Sequence, residues 1–261
     1  MPEEHVNGID IHYEVTGSGR AVLFLHGLGS STRDWEEQTA HFSSNRQVIT
    51  VDFRGHGQSD KPAERYSIEG FAADTAGLIK RLQLDRPDVV GISLGGMVGF
   101  QLAADHAHLV GRLVAVNAVP EFEVEGLGLR FQVLLRKLLT RFATVEKIGE
   151  VLAGRLFPEP GMEEQRKTFV RRWADNDQRA YRSAFQAILD WEGVAGAMTT
   201  FDHPTLFIVS DEDYTPVESK RPYVDVMPNA EMVVIENARH AVPAERPHKF
   251  NSVLEGFLES G

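Results

Sequence analysis

Short apolar runs of strand length recur along the chain and predict the buried strands of one sheet. Six largely apolar runs stand at residues 21–25, 48–51, 88–92, 113–116, 206–209 and 232–235. Continuous apolar runs, as opposed to alternating ones, are typical of parallel strands that are covered on both faces. Before them, residues 6–16 alternate around the turn-prone pair Asn7 and Gly8, which predicts a leading antiparallel hairpin.

Helical periodicity fills the intervals between these runs. Apolar residues repeat at every third or fourth position over 68–82, and Ser67 is placed to cap that helix. A second helix is predicted to begin at Leu94, and a last helix carries an apolar stripe over 250–258. Strands that alternate with helices in this way predict an α/β fold with a mostly parallel sheet.

The alternation stops between about residues 119 and 202, where strand patterns vanish and amphipathic helical stretches replace them. We therefore predict a core domain made of residues 1–118 and 203–261, with a helical insertion over 119–202. One stripe of the insertion comprises Leu127, Phe131, Leu134, Leu135, Leu138 and Phe142, and a second comprises Tyr181, Phe185, Ile188 and Leu189.

Composition narrows the class of protein. The chain has 261 residues, of which 42% are hydrophobic and 25% charged, as in an ordinary globular protein with one large core. Its 27 basic and 38 acidic residues give a net charge of -11, which disfavours binding to nucleic acid. The chain has no cysteine, which excludes disulfides, thiolate metal sites and a cysteine nucleophile.

The N-terminal residues, the length of the apolar runs and the absence of cysteine bear on where the protein is located. The first five residues are polar and acidic, so we expect no signal peptide. The apolar runs are far shorter than the roughly 20 residues that a membrane helix needs, so no membrane insertion is expected. Together with the absence of cysteine, this predicts a cytoplasmic protein.

The pentapeptide from Gly91 to Gly95 places Ser93 between an apolar strand and a helix, which is the setting of a G-x-S-x-G nucleophile elbow. A sharp strand-to-helix turn exposes the serine hydroxyl at the sheet edge, and glycines on either side avoid steric clashes. We therefore predict that Ser93 is a catalytic nucleophile. The alternative is a glycine-rich turn in which the serine is idle.

A serine nucleophile needs a base, and the base needs an acid that orients it. His240 follows the last strand and precedes the last helix, so it should reach the same sheet edge as Ser93. Asp213 lies in the loop after the strand at 206–209, and the order Ser93, Asp213, His240 is that of this kind of triad. Asp211, in the same loop, remains the alternative acid.

Stabilisation of an oxyanion requires backbone N–H groups near the serine. The segment His26-Gly27-Leu28-Gly29 ends the strand at 21–25, so the N–H of Leu28 is predicted to join that of Leu94. The alternative for this segment is an ordinary glycine turn.

Several motifs together resemble those of the α/β-hydrolase superfamily. They are His26-Gly27-Leu28-Gly29, the segment 52–59, Gly91-Ile92-Ser93-Leu94-Gly95-Gly96, Asp213-Tyr214-Thr215-Pro216 and His240. The likeness spans nearly the whole chain. Within the superfamily, the chain resembles small bacterial esterases, enol-lactonases and cofactor-free haloperoxidase-like hydrolases. The likeness implies an eight-stranded sheet with a helical cap after the sixth strand, and the insertion would be that cap.

Two departures from the superfamily pattern qualify what the resemblance implies. The oxyanion segment lacks the His-Gly-Gly-Gly run of one esterase branch. Asn117 stands after the sixth strand, where some relatives carry the acid, so the acid is expected after the seventh strand. Trp35, Trp173 and Trp191 are candidates for lining an acyl pocket, although aromatic residues at such spacing are also typical of a core.

These observations predict a serine hydrolase that cleaves carboxylic esters through an acyl-enzyme on Ser93. The alternatives are a lactonase, a carbon–carbon bond hydrolase or a perhydrolase with the same triad, and a ligand receptor on the same fold. The expected partner is a small ester or lactone. No cofactor or metal is predicted, because the chain has neither a complete G-x-G-x-x-G before a helix nor H-E-x-x-H.

Overall fold

The computed structural model describes residues 2–122 and 126–260. Its eight strands form one sheet, and their bounds are β1 Glu3–Val6, β2 Ile9–Thr16, β3 Ala21–Leu25, β4 Gln47–Val51, β5 Asp88–Ile92, β6 Leu113–Val116, β7 Thr205–Ser210 and β8 Ala230–Ile235. The order across the sheet is β1-β2-β4-β3-β5-β6-β7-β8. The pairs β1–β2 and β2–β4 are antiparallel and all other neighbouring pairs are parallel. The predicted mostly parallel, eight-stranded α/β fold is confirmed.

The helices cover both faces of the sheet and extend beyond it. Their bounds are α1 Glu36–Phe42, α2 Ile68–Arg81, α3 Leu94–His106, α4 Gly126–Phe142, α5 Val145–Leu156, α6 Glu163–Ala174, α7 Gln178–Asp190, α8 Ala195–Met198, α9 Arg221–Val226, α10 Val242–Glu245 and α11 Pro247–Glu259. Helices α4–α8 fall between β6 and β7, within the predicted insertion, and we call them the cap helices.

Local sequence explains where the first elements begin and turn. Asn7 and Gly8 both adopt positive φ, 50° and 83°, which is the conformation that a two-residue hairpin turn requires. The side chain of Ser67 accepts a hydrogen bond from the N–H of Gly70, so it caps α2 as predicted. The hairpin and the first long helix are therefore determined by a few local residues.

Two apolar clusters pack on opposite faces of the sheet. Helices α2 and α3 contribute Phe71 and Phe100 to one cluster, and α1 and α11 contribute Phe42 and Phe250 to the other. A third cluster lies among the cap helices and contains Trp173. Because parallel strands end at one edge, this packing places the residues that follow β3, β5, β6, β7 and β8 together.

Candidate active site

Ser93 occupies the strained turn between β5 and α3. Its backbone has φ 53° and ψ −115°, a sparsely populated conformation for a residue with a side chain. A Cβ at Gly91 would lie 2.2 Å from the carbonyl oxygen of Gly95, and one at Gly95 would lie 2.1 Å from that of Leu25. The two glycines are therefore a steric requirement of the turn, as the pentapeptide predicted.

His240 and Asp213 meet at the same edge of the sheet. Nδ1 of His240 lies 2.6 Å from Oδ1 of Asp213, and the Asp213 side chain is almost fully buried. The ring of Tyr214 stacks on His240 with the centroids 4.4 Å apart. These contacts fix the imidazole and leave its Nε2 for the cavity, whose wall His240 shares with Ser93. Among the described residues, the Ser93 hydroxyl has no hydrogen-bond partner.

A buried ion pair holds the Asp213 carboxylate from its other side. Nζ of Lys220 lies 3.0 Å from Oδ2 of Asp213, and both side chains are 1% exposed. The hydroxyl of Thr215 also donates to Oδ2, at 3.1 Å. Burial raises the pKa of the Asp213 carboxyl, but the charges of His240 and Lys220 outweigh it and bring the pKa down to about 2. Asp213 is therefore an anion at neutral pH.

Asp211, the alternative acid, has a different set of partners. Its two carboxylate oxygens accept the N–H groups of Asn237 and Ala238 at 3.0 and 3.1 Å. Asp211 thus binds the backbone of the loop that leads to His240, while Asp213 contacts the imidazole itself. Of the two carboxylates, Asp213 is the one that contacts the His240 imidazole.

The backbone N–H groups of Leu28 and Leu94, predicted to bind an oxyanion, both follow parallel strands at the edge of the sheet that carries Ser93. Leu28 follows β3 and lines the cavity, and Leu94 is the first residue of α3. Within the described ranges, neither N–H donates to a protein acceptor, so both are available to a ligand. The helix start at Leu94 adds partial positive charge beside Ser93.

A neutral, buried histidine holds the loop that carries Leu28. Nδ1 of His26 lies 2.7 Å from the carbonyl oxygen of Gly27, and Nε2 accepts the N–H of Phe53 at 3.1 Å. Burial lowers the pKa of His26 to about 4, so it is uncharged at neutral pH. Gly29 then turns the loop with φ 74° against the Trp173 ring, where a Cβ would lie 2.6 Å from Cζ2.

Asn117 is a site residue that the sequence reasoning did not identify as structural support. It follows β6 with a φ of 46°, and its Nδ2 donates to the Ser210 hydroxyl at 2.9 Å and the His240 carbonyl at 3.0 Å. Its Oδ1 accepts the Ser210 N–H at 2.9 Å. It thereby ties the end of β6 to β7 and to the His240 loop. Its place directly after a buried strand was the signal available in the sequence.

The three tryptophans predicted for the pocket have different surroundings. Trp35 and Trp173 line the cavity that contains Ser93. Trp191 lies away from the cavity wall, and its Nε1 donates to Oε1 of Gln101 at 2.8 Å in the core. Trp191 is therefore a core residue, which corrects its assignment to the pocket. The reason is its place just after α7, where the ring turns toward α3.

The cavity beneath the cap helices has a volume of about 310 Å³. Its wall is largely apolar and includes Leu156, Phe185 and Ile188 from the cap helices. Across residues 2–122 and 126–260, no three His, Asp or Glu side chains are grouped so as to hold a metal ion. In the same ranges, no helix is long and apolar enough to cross a bilayer. The space suits a small molecule with an apolar part.

Residues 20–247 match the family described as the alpha/beta hydrolase fold, and the chain belongs to that family. It is similar to a putative carbamate hydrolase, RutD, of Yersinia enterocolitica, with 27% identity over 95% of this chain and 92% of the relative. It is also similar to 3-oxoadipate enol-lactonase 2 of Acinetobacter baylyi, with 26% identity over 92% of this chain and 88% of the relative.

Among solved structures, the enol-lactonase of Burkholderia xenovorans LB400 is similar to this chain. The TM-score is 0.89 and the identity 25%, over 98% of this chain and 99% of the other. The likeness therefore extends through the cap helices as well as the sheet. The relatives named here are hydrolases.

Proposed function

We propose that the protein is a serine hydrolase that cleaves carboxylic esters through an acyl-enzyme on Ser93. The observation that carries this proposal is the arrangement of Ser93, at a strained elbow, on the same cavity wall as a histidine that Asp213 orients. Strained backbone at a cavity is typical of catalytic residues. Membership of the alpha/beta hydrolase family supports the same reaction class.

In the proposed reaction, Nε2 of His240 accepts the Ser93 hydroxyl proton while the serine oxygen attacks the ester carbonyl carbon. The N–H groups of Leu28 and Leu94 donate to the oxyanion that forms. His240 returns the proton to the leaving alcohol as the carbon–oxygen bond breaks. Water, deprotonated by His240, then attacks the acyl-enzyme, and His240 returns that proton to the serine oxygen as the bond between the acyl group and Ser93 breaks and the acid leaves.

Asp213 acts through His240 in this scheme. Its carboxylate accepts the Nδ1 hydrogen, which fixes the tautomer that leaves Nε2 free to accept a proton. It also stabilises the imidazolium that forms during attack. Nζ of Lys220 donates to the second carboxylate oxygen at 3.0 Å and so keeps the carboxylate in place.

Lactone hydrolysis is the second candidate function. A lactone is a cyclic ester and requires the same attack on a carbonyl carbon, so the proposed residues serve both. Two of the similar proteins are named enol-lactonases, and one of them matches this chain over nearly its full length. The shape of the cavity under the cap helices decides between open-chain and cyclic esters.

The proposal is tested with a panel of short and long acyl esters, lactones and vinylogous diketones. We expect ester or lactone turnover in the wild type and a loss of about 10³-fold or more in kcat for Ser93→Ala. Ser252→Ala, which removes an exposed serine of α11, is the matched control and should retain activity. Undiminished turnover in Ser93→Ala would refute the assignment.

The same panel separates the alternatives. Turnover of the diketones alone would favour carbon–carbon bond hydrolysis. Binding without turnover of any substrate would favour a ligand receptor.

A further inference from the structure

Arg136 of α4 lines the cavity that contains Ser93, and its guanidinium has few partners. One Nη2 hydrogen is donated to the Tyr181 hydroxyl. The guanidinium carbon lies 5.8 Å from the ring centroid of Tyr181 and 5.9 Å from that of Phe185. The Nε atom is buried and, within the described residues, has no hydrogen-bond partner. Arg136 therefore presents unused donors on an aromatic surface.

The described contacts of Arg136 are with aromatic side chains and not with a carboxylate. In the part of the chain that the structure describes, no Asp or Glu lies within ion-pair distance of Arg136. Arginine in a partly buried site is normally paired, because its charge loses hydration there. The aromatic faces supply only part of the compensation, about 0.5–2 kcal/mol in comparable contacts. A site of this kind is complete when a ligand brings the anion.

A second guanidinium lies on the neighbouring cap helix. Arg155 of α5 also lines the cavity, and it too has no ion-pair partner among the described residues. The charges of Arg136 and Arg155 both act on the hydroxyl of Tyr214, whose ring stacks on His240. Both side chains thus line the cavity that also contains His240, Arg136 half-buried and Arg155 exposed.

The other charged side chains of the cavity wall are already paired. Asp213 and Lys220 form an ion pair with each other. Asp34 accepts a hydrogen bond from the Ser30 hydroxyl and lies 3.5 Å from Arg172. The uncompensated charge of the cavity is therefore positive, in a chain whose net charge is -11.

We propose that Arg136, assisted by Arg155, binds a carboxylate of the substrate, so that the enzyme acts on esters or lactones that carry a second, anionic end. The proposal rests on the proposed function and specifies its substrate class. The planar guanidinium presents parallel N–H donors that match the two oxygens of a carboxylate. The apolar wall between Arg136 and Ser93 accommodates the carbon chain that joins the two ends.

The test compares two esters of equal chain length. The 4-nitrophenyl monoester of adipic acid carries a terminal carboxylate, and 4-nitrophenyl hexanoate does not. We expect wild type to have the higher kcat/KM on the adipate ester. Arg136→Gln should lower kcat/KM on that ester by about 10- to 100-fold, and on hexanoate by a clearly smaller factor, because hexanoate has no carboxylate for the guanidinium to bind. Arg136→Lys keeps the positive charge but loses the parallel N–H donors, so its kcat/KM on the adipate ester should lie between those of wild type and Arg136→Gln.

Lys137→Gln is the matched control. It removes the same charge from the adjacent position of α4, where the side chain is exposed and outside the cavity. It should change neither rate by more than about twofold, because exposed charges act weakly through water. An equal loss on both esters in Arg136→Gln, or no preference in the wild type, would overturn the proposal.

Binding of adipate itself, measured by calorimetry, separates this proposal from the proposed function. If neither ester is hydrolysed but adipate binds wild type and binds Arg136→Gln at least tenfold more weakly, the carboxylate site stands and the proposed function fails. If both esters are hydrolysed but adipate binding is unchanged in Arg136→Gln, the carboxylate site is wrong and the proposed function stands. Thermal unfolding of each variant confirms that it is folded.

Discussion

Helix α11 beside the sheet and helix α4 in the cap carry similar amphipathic patterns but place them differently. The stripe of α11 is buried against the sheet, where Phe250 and Leu254 are fully covered. Four residues of the predicted α4 stripe have exposed side chains: Phe131, Leu134, Leu138 and Phe142. The side chain of Leu127, which belongs to the same stripe, lies outside the described residues. Helical periodicity thus identifies a helix, while the surface opposite that helix decides which face is covered.

The partners of charged side chains also differ between the sheet region and the cap helices. In the sheet region, Lys220 forms a buried ion pair with Asp213 and Arg54 forms one with Asp74, while the buried Asp52 accepts two backbone N–H groups. On the cap side, the half-buried Arg136 has aromatic neighbours and no carboxylate of the described residues. The buried cations Lys220 and Arg54 thus have partners within the protein, whereas Arg136 has no carboxylate partner among the described residues and is proposed to bind one from the substrate.

The largest expected effect comes from breaking a core ion pair. Lys220→Met leaves the buried Asp213 carboxylate with one cation fewer, which should lower the free energy of unfolding by about 3–5 kcal/mol. Arg136→Gln removes a charge that has no carboxylate partner among residues 2–122 and 126–260, and it should cost well under half of that. Urea unfolding at pH 7 measures both. Equal losses of unfolding free energy in the two variants would contradict the proposed difference in charge pairing between the sheet region and the cap helices.

The same variants have a predicted pH dependence. The folded-state pKa of Asp213, about 2, lies below its ordinary value of 3.8, so the folded protein binds fewer protons than the unfolded chain in this interval. This contribution to stability is present above about pH 4 and is lost as the pH falls toward 2. In Lys220→Met the pKa moves back up, so the gap between wild type and variant should narrow on acidification. A gap that stays constant would contradict the account.

A more local comparison is made by a matched pair of leucines. Leu254→Ala in α11 removes a fully buried side chain and should cost about 2–5 kcal/mol. Leu134→Ala in α4 removes a side chain that is 53% exposed and should change stability by less than about 0.5 kcal/mol. Chemical denaturation measures both values. A large loss in Leu134→Ala would mean that the outer face of α4 is covered in solution.

Much of the fold was predictable because its signals are local. The apolar runs predicted six strands, and the pair Asn7 and Gly8 predicted the leading hairpin that supplies the other two. The pentapeptide around Ser93 predicted the strained turn because a side chain at Gly91 or Gly95 would strike neighbouring backbone. Each of these inferences needs only a few consecutive residues.

The remaining features depend on contacts between distant segments. Lys220 carries no motif, and its role follows from a loop that folds it under Asp213. Asn117 supports the His240 loop across more than a hundred residues of chain. Trp191 packs in the core, and part of the apolar stripe of α4 is exposed. Which face of a helix is buried depends on the helices packed against it, and no local sequence pattern specifies those neighbours. The division into core and cap domains stays a prediction from the sequence.

The central claim is that Ser93 is the nucleophile, and the most direct measurement is to map the adduct of a fluorophosphonate probe by mass spectrometry. A fluorophosphonate phosphonylates a serine that an adjacent base activates, with loss of fluoride. We predict one adduct per chain, on Ser93, and none in Ser93→Ala. An unlabelled wild type, or an adduct on a different residue that persists in Ser93→Ala, would contradict the account.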